Sequence, residues 1–112
     1  RGKGAVVLGH SDIIVYDFTT DTISRPYAAL MKSEAIQTLF AGLFSALPGG
    51  YGLIEDVTNA RLVVAGPDGT LAAQYMNRAE NGAVYHLGWS RYIDQSLGDK
   101  VIAAVQGLAC DG

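Results

Sequence analysis

Cysteine is nearly absent from this chain. Cys110 is the single one in 112 residues, so no internal disulfide is possible and folding cannot depend on an oxidising compartment. Its neighbour is Asp111, not the positive charge that activates a thiolate. Histidine is scarce too: a multi-histidine metal centre would need both His10 and His86 together with carboxylates. Charge is sparse at 17% and sums to −3, with the basic residues scattered singly. That excludes the clustered Lys and Arg of a nucleic-acid grip and the polybasic patch of a membrane-surface protein.

Other features are missing outright. No apolar run approaches the ~20 residues of a membrane-spanning helix, and no leader peptide is visible, although one can have been removed. Arg1 is not a translation start, so a processed product, a tagged product or an excised domain is expected. A cytoplasmic location is favoured by the single cysteine. There is no Gly-x-Ser-x-Gly elbow and no carboxylate pair on one helix face. Arg1-Gly2-Lys3-Gly4 precedes a strand instead of following one, and Gly49-Gly50-Tyr51-Gly52 follows a helix. Neither can serve as a phosphate-cradling loop between strand and helix. No catalytic set, cofactor or metal is therefore expected.

What is present is hydrophobic content of 49%, enough for one globular domain over residues 1–112 with a single core. Ile36, Leu39, Phe40, Leu43, Phe44 and Leu47 recur at a 3.6-residue period. They predict a helix over about 26–47, stopped by Pro48-Gly49-Gly50. A second helix is expected over about 90–109, with Ser90 as its N-cap. Its buried side is read as Ile93, Leu97, Val101, Ala104, Val105 and Leu108, and Gly98 marks a kink or a break before Asp99.

β-branched and aromatic runs mark the strands. Ala5–Leu8 and Ile13–Phe18 read as a hairpin. A turn at Thr19–Thr22 leads to a short strand from Ile23 that Pro26 limits. Leu53–Val57 is read as a strand in preference to a helical turn. Leu62–Ala65 and Leu71–Tyr75 flank Gly66-Pro67-Asp68-Gly69, a hairpin with a type I turn and a bulge. Ala83–Trp89 alternates and is read as the last strand. The sum is an α+β fold: a mostly antiparallel meander sheet of about five strands, with both helices on one face. This order of elements resembles the profilin-like group of folds, including roadblock-type and PAS-like modules. The resemblance is one of element order, without a matched motif. It implies room for a ligand between sheet and helix, where Phe40, Phe44, Tyr16 and Tyr85 are candidates to line a pocket.

Chemistry has few places to reside. His10-Ser11-Asp12, with Asp17 and Asp21 nearby, offers an acid–base pair or part of a metal site, but its residue types are those of a solvated turn. His86 is either a ligand contact or a backbone-bonded histidine. The aromatic group is the stronger signal. Tyr and Trp combine large area with a polar tip, as recognition surfaces require. Tyr16, Tyr51, Tyr75, Tyr85, Trp89 and Tyr92, with His86, are the candidate binding residues.

The expected function is a non-catalytic protein-interaction module. It would bind a protein partner or a second copy, as a homodimer, through a sheet edge and exposed aromatics. The alternatives are a small-molecule-binding or sensory domain, and a small enzyme using His10 or His86 with a carboxylate. The Ala-rich composition, with Arg outnumbering Lys, suggests a small bacterial or phage protein.

Overall fold

The hairpin predicted around Pro67 anchors the main sheet in the computed structural model, which describes residues 9–39 and 41–108. Its strands are β5 (Arg61–Ala65) and β6 (Leu71–Met76); the labels β1 to β6 and α1 to α2 run in chain order. Gly66 N–H donates to Thr70 O at 2.8 Å and Gly69 N–H to Gly66 O at 2.9 Å. Asp68 Oδ1 accepts from the Thr70 amide at 3.1 Å and its hydroxyl at 2.7 Å. Gly69 has φ 78°, and a Cβ there would sit 2.8 Å from the Pro26 carbonyl. The expected bulge falls between Val64 and Ala65.

The remaining strands add in sequence order. β3 (Leu43–Ala46) and β4 (Gly52–Asp56) complete a four-stranded antiparallel meander, β3-β4-β5-β6. A separate hairpin pairs β1 (Val15–Asp17) with β2 (Thr22–Ser24) across the predicted Thr19–Thr22 turn. The α+β class and the antiparallel meander are thus as the sequence implies. The strands divide between two sheets instead of lying in one.

Register sorts the side chains onto two faces. Phe44 pairs with Ile54 and Ile54 with Val63, while Gly52 pairs with Ala65 and Asp56 with Arg61. These residues share the first face, which α1 (Ala28–Ser33) covers. Tyr27, Leu30, Met31, Ile36, Ile54, Val63 and Ala65 form the buried core there, with Ile13 and Phe44 packed against it. The Phe44 ring and the Tyr27 hydroxyl close over Gly52, where a Cβ would lie 2.7 Å and 3.1 Å from them. Leu43, Ser45, Leu53, Glu55, Leu62, Val64, Ala73 and Tyr75 share the second face.

The first helix is far shorter than the 26–47 span expected. It ends at Ser33, and the apolar stripe is not helical: Leu43 and Phe44 lie in β3, Leu39 is 52% exposed, and Ile36 is buried beyond the helix. Phe40, like the Ala5–Leu8 strand expected to pair with Ile13–Phe18, lies outside the described residues. The reason is a Schellman stop. Ile36 N–H donates to Met31 O at 2.9 Å and Ala35 N–H to Lys32 O at 3.1 Å, with Ala35 left-handed at φ 49°. Ile36 and Met31 then meet in the core, the apolar contact that accompanies this motif. Glycine normally marks such a stop. Here alanine occupies the position, so the sequence carries no glycine signal where the helix stops.

The second helix, α2, runs over Gln95–Gln106 instead of 90–109. Its N-cap is Asp94, whose Oδ1 accepts from Leu97 N–H at 2.9 Å, not Ser90. Gly98 lies within it without breaking it. Contrary to expectation, α2 has no buried residue and no extensive contact with any strand among the described residues. Ala83–Trp89 is not a strand either: apart from one bridge between Arg78 and Val84 it is an irregular extended segment.

Candidate functional site

The chain after β6 folds back as a strap over the second face of the sheet. Asn77 starts it. Its backbone N–H donates to Ala60 O and its carbonyl accepts from Tyr85 N–H at 3.0 Å. Its side-chain amide donates to Tyr85 O at 3.0 Å, and the Tyr75 hydroxyl reaches its Oδ1 at 3.5 Å. Further on, His86 Nδ1 lies 2.9 Å from Val57 O. Ser90 N–H donates to Glu55 Oε2 at 2.6 Å. That bond gives a partner to a carboxylate only 2% exposed, as burial of a charge requires.

The strap encloses a mainly apolar cavity of about 240 Å³ with Leu43, Glu55, Val57, Leu87 and Trp89 in its wall. Trp89 has φ 62°, a left-handed conformation rare for a bulky residue. The residue is 80% exposed, with the Arg91 guanidinium 5.6 Å from the ring centroid.

On the first face, Asp56 and Arg61 form a buried clamp that sequence reading did not find. Arg61 Nε donates to Asp56 Oδ2 at 2.7 Å. Its terminal nitrogens reach the Glu34 carboxylate at 3.3 Å and the Glu34 carbonyl. The cation therefore sits on the C-terminal end of α1, where carbonyl dipoles favour it. Asn59 adds a 2.8 Å bond to Asp56 Oδ2, while Asp56 Oδ1 is buried without a partner. The sequence did carry one signal: two adjacent carboxylates inside the apolar strand Leu53–Val57. On a strand they face opposite sides. Each indeed meets a different partner, Arg61 on one face and the strap on the other.

A second cavity, about 410 Å³, opens between the Ser11–Ile13 segment, the end of α1 and the start of β3. Phe44, Met31, Ile36 and Ile54 supply apolar wall, and Ser11, Asp12 and Thr38 polar wall. Of the aromatics expected to line a pocket, Phe44 does so. Tyr16 and Tyr85 line neither cavity, and Phe40 is outside the described residues.

The candidate binding residues divide into groups. Tyr75, Tyr85, His86 and Trp89 belong to the strap and the strand before it, and Tyr92 (49% exposed) follows at the approach to α2. Tyr16 lies apart on the β1–β2 hairpin, its ring edge-on to Phe18 at 4.7 Å and its hydroxyl bonded to Asp21. That bond holds the Tyr16 phenol above its ordinary pKa. Tyr51 packs beside Gly49 at the other end of the sheet. Asp17 accepts from the Thr19 amide at 2.8 Å, which holds its carboxyl below the usual range. The Asp12 carboxylate bonds the Ile13 amide and lies 3.6 Å from Arg25. Among the described residues neither histidine bonds a carboxylate, and no group of three His, Cys, Asp or Glu could hold a metal ion. No helix is long and apolar enough to cross a membrane among the described residues.

No family model matches the chain, and neither the curated proteins nor the solved structures contain a match to it.

Proposed function

We propose that the chain is a non-catalytic protein-interaction module that self-associates, as a homodimer, through the β6 edge of its main sheet. The observation that carries this reading is β6. It is six residues long, pairs on one side only among the described residues, and reads Leu-Ala-Ala-Gln-Tyr-Met without a charge or a proline. Five of its six side chains are exposed. Natural sheets blunt such edges with lysine, proline, shortness, bulges or cover; β6 carries no lysine or proline and is not short. Antiparallel pairing of two β6 strands about a two-fold axis makes one eight-stranded sheet. Tyr75 and Tyr85 would then flank the junction.

Light scattering on a sizing column tests this. The expected result is a mass of twice the 11.8 kDa chain. Gln74→Lys, which places like charges across the two-fold junction, should shift it toward monomer with an unchanged circular dichroism spectrum. A wild-type chain that stays monomeric at high concentration would overturn the reading.

The 410 Å³ cavity supports a second reading, a small-molecule-binding or sensory domain. Its size is that of ligand sites, and its wall is apolar with a few polar groups. A thermal-shift screen in which no metabolite class stabilises the protein would count against it.

A further inference from the structure

We infer that the second face of the sheet is completed by α2 of a second copy, so that the dimer exchanges its C-terminal helices. This inference rests on the self-association proposed above and specifies a contact within it.

Three observations converge. First, α2 has no support from the described residues of its own chain. It is 12 residues long with no buried residue, whereas isolated helices of that length are marginal in water. Its apolar stripe is open to solvent: Leu97 is 47% exposed, Val101 46%, Val105 61% and Leu108 69%.

Second, the surface that lacks a helix is in the same molecule. Leu53, Leu62 and Val64 lie on the second face only half-buried, while α1 seals the first. The one charge on that face, Glu55, is already held by Ser90, so the open part is uncharged, as is the α2 stripe. Dimensions agree too: a 12-residue helix is about 18 Å long and four strands span about 14 Å.

Third, α2 stands away from its own sheet. The Ser90–Glu55 bond fixes where the strap leaves the sheet, and beyond it α2 makes no extensive contact with any strand. Pairing β6 with β6 about an axis normal to the sheet leaves both second faces on one side, open to each other's helices. Exchange adds two helix-on-sheet contacts to the strand pairing, toward the roughly 1,600 Å² that a standard stable interface buries. Edge pairing alone, through two six-residue strands, falls well short of that.

Cross-linking decides the matter in a Cys110→Ser background. Val101→Cys and Val64→Cys chains are made separately, mixed, allowed to exchange and oxidised. The expected product is the mixed 101–64 disulfide dimer, several-fold in excess of either self-linked dimer. A dominant 101–101 product would mean that the helices pair with each other, and would overturn the inference. So would a disulfide that forms within one chain when Val64→Cys and Val101→Cys are combined in a single chain, or the absence of any cross-link. The Ala104→Cys and Ala73→Cys pair repeats the test with smaller perturbation of packing. If light scattering reports a dimer while the cross-link forms within one chain, the exchange fails and the edge-paired dimer stands.

Discussion

The two faces of the main sheet have similar apolar sequence and opposite fates. On the first, Ile54, Val63 and Ala65 are sealed by Tyr27, Leu30, Met31 and Ile36. On the second, Leu53, Leu62 and Val64 are only partly buried, under a strap bonded at the Glu55 end. The helices differ in the same way: six-residue α1 buries Leu30 and Met31, whereas 12-residue α2 buries nothing. Helix length and amphipathicity therefore do not decide burial here. The decisive difference is an anchor. Arg61 ties the end of α1 to β4 and β5 through Glu34 and Asp56, and α2 has no such tie.

Removing that anchor should break the contrast most severely. Arg61→Ala leaves Asp56 buried at 0% exposure with neither its cation nor a partner for Oδ1. The expected loss is about 3–5 kcal/mol in urea denaturation. A loss under ~1 kcal/mol would mean that the clamp is dispensable.

Truncating the two helices should sharpen the contrast next. Met31→Ala empties a site that is 1% exposed and should cost about 2–5 kcal/mol. Leu97→Ala should cost within ~0.5 kcal/mol in dilute, monomeric protein, but should weaken the dimer at higher concentration. Equal costs for the two in dilute protein would show that α2 packs on its own chain.

Ala35→Gly acts in the opposite direction. The left-handed φ of 49° is strained for alanine and free for glycine, so the variant should gain up to about 1 kcal/mol and melt higher. A lower melting temperature would argue against the Schellman stop.

The smallest effect is in acid. Hydrogen bonds from the Thr19 amide to Asp17 and from the Thr70 hydroxyl to Asp68 hold both carboxyls below the usual range. With folded pKa values depressed, their contribution is complete above the unfolded value, about 4, and fades as pH falls through the folded ones. Carboxyl-carbon NMR titration should place both below an unstructured peptide reference. Values at or above that reference would show that these turn bonds do not persist in solution.

The same contrast shows how much the sequence made legible. Short-range chemistry read correctly: the Pro67-Asp68-Gly69 turn, the Thr19–Thr22 turn and β4 all depend on neighbours a few residues away. The 3.6-residue stripe misled because Leu43 and Phe44 serve as well in a strand as in a helix. The feature that separated the readings, Ala35 in a glycine-like conformation, is invisible in composition. The clamp was legible only as two carboxylates in an apolar strand, since its cation arrives from the neighbouring strand and its carbonyl from a helix end. Likewise the strap carries Tyr85, His86 and Trp89 in a segment whose alternation reads as a strand, yet its bonds are to Asn77, Val57 and Glu55 on other elements.

By itself, then, the sequence determined the α+β class, the antiparallel β4-β5-β6 run and the turns, because propensity and turn chemistry act over a few residues. Only the tertiary structure decided where α1 stops, which face is sealed, and that α2 and the outer face are left open. Those outcomes depend on one long-range ion cluster and on which apolar surfaces meet, and neither leaves a local pattern to read.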